Sequence, residues 1–340
     1  MTSAERHGPV QADSVQAWPP QTWSISDGRA GNARQCNALA AALGVGASRE
    51  WILAARAPWR WIAPRRLPGD EHAFGRDFAA ALQAPPTLAI GCGRQAALAT
   101  RLLRETATRG AAGPPVRTVQ ILDPRIDPTH WDLVVAPEHD GLRGGNVITT
   151  LGSLHPVDDT WLARARERFA AFAELPQPRT ALLLGGPSAH VRFDRMAFEV
   201  LAAKLETVLV RDGGSVLVTA SRRTPRDLRD ALQHRYGETP GVVWRGEEDG
   251  ENPYAGLLAW ADRIVCSPDS VNMISEACAT RVPVFVFDPA RVRGRPRRFL
   301  DALLASGRLR AMDTALAPFD VEPLRETARV AEAVRERLGL

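Results

Sequence analysis

Lysine is almost absent from this sequence. Lys204 is the only one, although lysine and arginine together number 43 among 340 residues, and the net charge is +4. Arginine suits bidentate binding of phosphate and carboxylate, but a coding bias toward arginine is the simpler explanation. Because the basic residues are spread out and no paired-cysteine finger or aromatic RNA-binding motif accompanies them, we expect no nucleic-acid partner.

Cysteine is scarce as well. The four cysteines are Cys36, Cys92, Cys266 and Cys278. They form no CxxC pair and no histidine pair matches them, so we expect no metal site. The last two lie in apolar or helix-like segments, which is typical of buried, reduced thiols in a cytoplasmic protein.

No stretch of the sequence reaches the ~20 apolar residues that a membrane-spanning helix requires. Residues 1–21 are polar and contain three prolines, which predicts a loose tail and no signal peptide. We therefore expect a soluble, cytoplasmic protein. Peripheral contact with an inner membrane is the alternative, because arginine-rich faces can bind anionic lipid.

Short apolar runs alternate with helix-length segments along the chain. Strand-like runs of the first half are Trp23–Ser26, Thr87–Ile90, Val116–Leu122, Leu133–Ala136 and Val147–Thr149. Those of the second half are Ala181–Leu184, Ser215–Thr219, Val242–Trp244, Arg263–Cys266 and Val284–Phe287. Repeated strand–helix units with fully apolar strands predict parallel sheets covered by helices on both faces.

The prolines around residues 175–178 are typical of a linker, and they divide the chain into two Rossmann-like α/β domains. We predict a tail over 1–21, a first domain over 22–174, a second over 177–310, and a helical segment over 311–340 that packs back on the body. Two such domains enclose a cleft, where ligands commonly bind.

Ligands of parallel sheets bind beyond the carboxyl ends of the strands, so the turns there are the first candidates. Gly185 and Gly186 free the backbone to approach an anion, and Ser188 adds a donor. Ser221 and Arg222 precede a helix whose N-terminus favours phosphate. A tight turn and a helix capped by Thr224 are the structural alternatives.

The last turn of this kind leads into a helix with a carboxylate. Ser270 is a candidate N-cap, and Glu276 follows in a helix whose flanks look buried. Because a buried carboxylate is costly without a partner, Glu276 requires one, either a ribose diol or a nearby arginine. We expect Gly185, Gly186 and Ser270 to share one anion-binding hollow with Glu276 at its rim.

The first half contributes a second ligand-facing loop. Gly28 and Gly31 follow the opening strand, and Asp27 before them is a candidate general base, although a turn-forming role is the stronger reading. His139 and Asp140, after a later strand, are weaker base candidates on the same side.

Taken together, these turns resemble the Elm-type, mitochondrial fission Elm-like family, whose bacterial members are regarded as glycosyltransferases. The matching segments lie within residues 22–290: Ser26–Asn32, Leu184–Ser188, Thr219–Pro225, Asn252–Tyr254, Ala261–Val265 and Asp269–Ala277. The resemblance implies a GT-B-like fold, with the acceptor on the first domain and the nucleotide on the second. The segment from Ser267 to Glu276 is also similar to the peptidoglycan N-acetylglucosamine transferases, which implies a phosphate role for Ser270 and a ribose role for Glu276.

The implied reaction is metal-independent transfer of a sugar from a nucleoside diphosphate sugar to an acceptor hydroxyl, with no cofactor and with Asp27 as the base. Asp269 departs from the pattern, because its negative charge must be turned away from a diphosphate or neutralised. A nucleotide-sugar 2-epimerase and a non-catalytic scaffold for protein interaction are the alternatives. The sequence leaves open the nucleotide base, the sugar, the acceptor and the oligomeric state. In one reading the acceptor is a membrane-associated molecule.

Overall fold

The computed structural model describes residues 21–46, 49–110 and 115–340, with the backbone alone for residues 107–110. The predicted tail over residues 1–21 lies outside the described residues, apart from Gln21.

In the described part of the first half, the strands build one six-stranded sheet. They are β1 (Thr22–Ser26), β2 (Arg49–Ile52), β3 (Leu88–Cys92), β4 (Arg117–Ile121), β5 (Leu133–Pro137) and β6 (Val147–Thr150). The helices are α1 (Ala30–Ala42), α2 (Trp59–Ile62), α3 (Arg76–Ala81), α4 (Arg94–Gly110) and α5 (Asp159–Arg168). The sheet order is β2-β1-β3-β4-β5-β6, and neighbouring strands are parallel. We call residues 21–168 the first unit.

The second half repeats this architecture. Its strands are β7 (Arg179–Leu184), β8 (Ser215–Ala220), β9 (Gly241–Trp244), β10 (Arg263–Cys266), β11 (Val284–Val286) and β12 (Arg310–Ala311). Its helices are α6 (Arg195–Asp212), α7 (Arg226–Tyr236), α8 (Tyr254–Trp260), α9 (Val271–Cys278) and α10 (Arg295–Ala305), and α11 (Glu326–Leu338) ends the chain. The strands are parallel in the order β12-β11-β10-β7-β8-β9. We call residues 179–311 the second unit.

The strands are apolar on both faces because helices cover both faces of each sheet. In β7, Ala181 and Leu183 pack into one core cluster, whereas Leu182 and Leu184 pack into another on the opposite side. Alternate residues of a continuous apolar run thus face two different cores, one on each side of the sheet. Together with the two parallel sheets, this confirms the predicted α/β class.

The C-terminal helix returns to the first unit. Val330, Ala331 and Val334 on α11 are fully buried in the core cluster that also contains Leu39 of α1. The Thr327 hydroxyl and the His155 backbone exchange hydrogen bonds of 2.9 and 2.8 Å. The chain therefore crosses from the second unit to close the core of the first.

The sheet order determines where a ligand crevice opens. In the second sheet the chain moves outward from β7 to β9 and then returns to the other side of β7 with β10. Loops on the two sides of such a reversal point leave in opposite directions, which opens a crevice at the carboxyl edge. The first sheet has the same reversal between β1 and β3.

Within the described ranges, no helix combines the length and the apolar character needed to cross a membrane.

Candidate functional site

A cleft of about 880 Å³ lies between the carboxyl edges of the two sheets. The first unit contributes the loop after β1 and the start of α1, and the second unit contributes the loops after β8 and β10 and the start of α9. The volume falls within the ~300–1,000 Å³ of typical small-molecule sites. The site residues predicted from sequence that line it are Gly28, Gly31, Ser221, Arg222, Ser270 and Glu276.

Glu276 is the buried carboxylate of this cleft, with only 2% of its side chain exposed. Arg34 Nη1 of the first unit donates to Glu276 Oε1 over 2.7 Å, and the Tyr254 hydroxyl donates to Oε2. Burial raises the pKa of Tyr254 well above its ordinary value, and the charge of Glu276 acts in the same direction, so the phenol remains a donor. The arginine partner is thus present, and it comes from across the cleft.

Two further contacts hold the units together at α9. A Cβ atom on Gly31 would lie 2.1 Å from the Asn272 amide nitrogen, so α1 and α9 approach closely here and a larger residue would displace the Asn272 side chain. The Ser153 amide donates to Ser275 Oγ over 3.1 Å. The floor of the cleft is therefore a packed contact between α9 and the first unit.

Asp269 lines the cleft, but its carboxylate is buried and neutralised. Its side chain is 0% exposed, and it accepts hydrogen bonds from the Gly186 amide at 2.9 Å, from the Ser267 hydroxyl at 2.7 Å and from Arg223 at 2.9 Å. Ser267 Oγ in turn accepts the Gly185 amide over 2.7 Å. The Asp269 carboxylate fills the crevice between β7 and β10.

The expected hollow shared by the glycine pair and Ser270 is therefore not formed. The amides of Gly185 and Gly186 are bonded to the protein itself, so in this structure they are not free for a phosphate. The glycine requirement has another cause, because a Cβ atom on Gly185 would lie 2.0 Å from Asp269 Oδ2. Ser188 closes a local turn, in which its Oγ accepts the His190 amide at 3.2 Å.

Ser221 and Arg222 follow β8 at the side of the cleft. The Ser221 amide donates to the Thr224 hydroxyl over 2.9 Å. That hydroxyl in turn donates to the carbonyl of Gly185. The alternative in which Thr224 caps α7 is not observed, because the helix begins at Arg226 with Pro225 at its N-cap position. The buried Thr224 hydroxyl ties two loops together instead. Arg222 is exposed.

The charges lining the cleft do not cancel. Its two carboxylates, Asp269 and Glu276, are each matched by an arginine, at 2.9 Å and 2.7 Å. Arg222 forms no ion pair with a carboxylate of the described residues, and Arg29 lies 3.6 Å from Asp27 with 82% of its side chain exposed. The excess charge is positive and favours an anionic ligand.

At the start of α9, Ser270 is the N-cap, and its Oγ accepts the Met273 amide over 3.4 Å. The positive end of the helix dipole therefore lies at the cleft, which Arg222 also lines, and attracts anions. Throughout the described residues, no group of three or more histidine, cysteine, aspartate or glutamate side chains is arranged to hold a metal ion.

Asp27 directly follows β1 and lies beside the cleft without being part of its lining. Asp27 Oδ1 accepts the Asn32 side-chain amide at 2.8 Å and the Arg29 backbone amide at 3.2 Å, and 16% of the side chain is exposed. The carboxylate thus orders the loop that carries Gly28.

His139 and Asp140 lie outside the cleft and contact α10. Asp140 Oδ1 accepts from Arg295 over 3.0 Å, and the His139 carbonyl accepts from Arg298. Burial lowers the pKa of His139 below its ordinary value. The prediction that this pair acts on the side of the sugar acceptor, as a weaker candidate base, stays a prediction.

Sequence reasoning missed Arg34 and Asn272, which join the two units. Arg34 follows Gly31 by three residues on α1, and residues at this spacing share a helix face. That spacing places an arginine on the face of α1 that leads toward the cleft, and it is the signal from which Arg34 could have been found.

Two parallel sheets that face each other across such a cleft define a protein of GT-B fold. The chain belongs to the family described as mitochondrial fission ELM1, whose model matches residues 30–338, and this confirms the resemblance seen in the sequence. It is 30% identical over 282 residues to the mitochondrial fission protein ELM1 of Arabidopsis thaliana, a match that spans 75% of this chain but only 64% of the plant protein.

Two other proteins extend the comparison. An uncharacterised protein of Rickettsia prowazekii is 22% identical, with 94% of this chain and 98% of that protein covered. Among solved structures, the UDP-GlcNAc 2-epimerase of Methanocaldococcus jannaschii matches with a TM-score of 0.55 at 11% identity, covering 93% of this chain and 100% of that one. At this identity the similarity concerns the fold alone.

Proposed function

We propose that this protein transfers a sugar from a nucleoside diphosphate sugar to an acceptor hydroxyl. The observation that carries the proposal is the excess positive charge of a cleft of about 880 Å³, next to the N-terminus of α9. A diphosphate is an anionic group that both a helix N-terminus and a guanidinium bind.

In this proposal the diphosphate lies between Arg222, Ser221 and the first turn of α9 at Ser270. As the bond between the anomeric carbon and the diphosphate oxygen breaks, its electron pair passes to the diphosphate, and negative charge grows there. The guanidinium, the hydroxyl groups and the helix amides stabilise that charge in the transition state. The leaving group is thus stabilised by protein groups, without a metal ion.

Glu276 binds the ribose of the donor. Its carboxylate accepts hydrogen bonds from Arg34 and Tyr254, and each carboxylate oxygen has further lone pairs. Arg34 is 48% exposed, so its side chain can move toward solvent when the ribose hydroxyls arrive.

Asp27 is the proposed base. When the acceptor oxygen bonds to the anomeric carbon, the acceptor proton moves to the Asp27 carboxylate, and the reaction inverts the configuration at that carbon. Because Gly28 lines the cleft, the neighbouring Asp27 needs only a small loop movement to reach an acceptor hydroxyl.

The lining of the cleft favours transfer over epimerisation. Among the described lining residues there is no histidine, and both carboxylates are already paired with arginines. An epimerase must remove and return a proton on the sugar and therefore needs several acid and base groups that converge on it.

Thermal-shift screening with UDP-, GDP-, ADP- and CMP-sugars tests the proposal, followed by product analysis of any sugar nucleotide that stabilises the protein. Transfer or slow hydrolysis supports the proposal, conversion to an isomer supports an epimerase, and no response supports a scaffold. Asp27→Asn should abolish turnover but preserve donor binding. Asp123→Asn, which removes a carboxylate from the same sheet edge after β4, should preserve both.

A further inference from the structure

A basic, tryptophan-rich segment lies next to the mouth of the cleft on the first unit. Between residues 51 and 69 the sequence has four arginines, three tryptophans and no acidic residue. The segment runs from the end of β2 through α2, and neither the proposed donor site nor the core accounts for its exposed side chains.

Large apolar side chains are exposed here. Ile52 is 74%, Trp61 63% and Leu67 42% exposed. In the described residues the other exposed large apolar side chains, Met196, Val200 and Val210, belong to α6 of the second unit. The two groups are thus separate, and only the first lies within an arginine-rich segment.

Two contacts place this segment at the carboxyl edge of the first sheet, where the cleft opens. A Cβ atom on Gly28, which lines the cleft, would lie 3.0 Å from Ile52 Cγ2. Arg94, the first residue of α4, donates to the carbonyls of Arg60 at 2.9 Å and Trp61 at 3.4 Å. The surface therefore borders the cleft instead of lying behind the sheet.

The arginines of the segment divide into two kinds. Arg66 is held by Asp70 and Glu105, so it anchors the segment to the body. Arg56, Arg60 and Arg65 are exposed, and none forms an ion pair with a carboxylate of the described residues. Three positive charges therefore remain available beside the exposed apolar side chains.

We propose that this surface, formed by Ile52, Arg56, Arg60, Trp61, Arg65 and Leu67, docks the protein on an anionic lipid bilayer. Trp61 enters the interface between headgroups and acyl chains, and the arginines bind headgroup phosphates. The exposed aliphatic side chains favour a bilayer over a nucleic acid, because they can enter the acyl boundary but cannot stack on bases. The inference does not rest on the proposed transfer reaction, since it concerns an outer surface.

Sedimentation of the full chain with vesicles tests this inference. One set contains phosphatidylcholine alone, and the other contains about one third phosphatidylglycerol. We expect binding to the anionic vesicles, weaker binding to the neutral ones, and a loss of binding when the ionic strength rises from about 0.05 M to about 0.5 M.

Matched variants locate the contact. Arg60→Glu should weaken binding to the anionic vesicles about fivefold or more, whereas Arg226→Glu, an exposed arginine at the start of α7, should not. Trp61→Ser should weaken it about tenfold, whereas Val210→Ser should not. Ile52→Ser is a second apolar variant that also removes an exposed side chain, so the result does not depend on one substitution.

Three outcomes would overturn the inference. The first is that the unmodified protein sediments with neither vesicle, or with both equally. The second is that the surface variants and their controls bind alike. The third is that Trp61→Ser and Arg60→Glu lose binding to a single-stranded oligonucleotide while keeping vesicle binding, which would assign the surface to nucleic acid.

Discussion

Arg34 on α1 and Glu276 on α9, 242 residues apart in the chain, form a 2.7 Å ion pair across the cleft. Burial opposes the charged form of Arg34, but the attraction of Glu276 outweighs it, so the pKa of Arg34 is raised above its ordinary value. The pair thus fixes the two sheets relative to each other through the residue that we propose for ribose binding.

Arg34→Ala should lower the free energy of unfolding by about 1–3 kcal/mol, because it leaves a buried carboxylate with a single protein donor. Arg29→Ala is the matched control. Arg29 lies directly before α1, is 82% exposed and comes no closer than 3.6 Å to the Asp27 carboxylate, so its loss should cost less than about 0.5 kcal/mol. Urea-induced unfolding measures both, and equal effects would refute a special role of the ion pair.

Gly185→Ala should destabilise the protein by about 1–3 kcal/mol, because the added methyl group meets the buried Asp269 carboxylate. Removing that carboxylate removes the conflict, so the cost of Gly185→Ala should be smaller in an Asp269→Ala background. A double-mutant cycle measures this coupling.

The control for this cycle is Gly145→Ala. Nothing lies within 4 Å of a Cβ atom at that exposed position, and the change should stay within about 0.5 kcal/mol. Simple additivity of Gly185→Ala and Asp269→Ala would show that the carboxylate does not occupy the crevice in solution.

Because of the buried His155, the protein should lose stability on mild acidification. His155 is 2% exposed with Nδ1 unbonded, and burial lowers its pKa below the ordinary 6.5, partly opposed by the charges of Glu276 and Glu326. Since the unfolded chain then binds the proton more readily than the folded one, the free energy of unfolding should fall as the pH falls below 6.5.

His155→Gln should reduce that fall between about pH 7 and about pH 5, whereas His234→Gln, at an exposed position, should not. Carboxylates with lowered pKa, such as Asp194, lose their contribution only when the pH falls below the ordinary 3.8. A pH series of thermal unfolding measures the slope, and identical slopes in all three proteins would contradict the assignment to His155.

The two parallel sheets were predictable from sequence because their central strands are apolar on both faces. The pattern does not predict β2, whose four residues are mostly exposed because it pairs only with β1 at the sheet edge. Nor does it predict β12, which consists of two exposed residues at one edge of the second sheet.

The site was predictable from sequence where a residue's position depends on its own strand, loop or helix. Ser221 directly follows β8, and Ser270 lies in the short loop between β10 and α9, so a local sequence pattern places both at the carboxyl edge of the sheet. The partner of Gly185 was not predictable, because it depends on the register that pairs Cys266 with Leu183. Arg34 meets Glu276 through the packing of two units, which no local pattern encodes.

Calorimetric titration with UDP, GDP, ADP and CDP measures whether the cleft binds the diphosphate of a nucleotide sugar. We expect at least one of the four to bind. Arg222→Ala should weaken that binding about tenfold or more, whereas Arg226→Ala, four residues away and outside the cleft, should change it less than about twofold. Binding of none of the four, or equal affinities of the two variants, would contradict the proposed donor site.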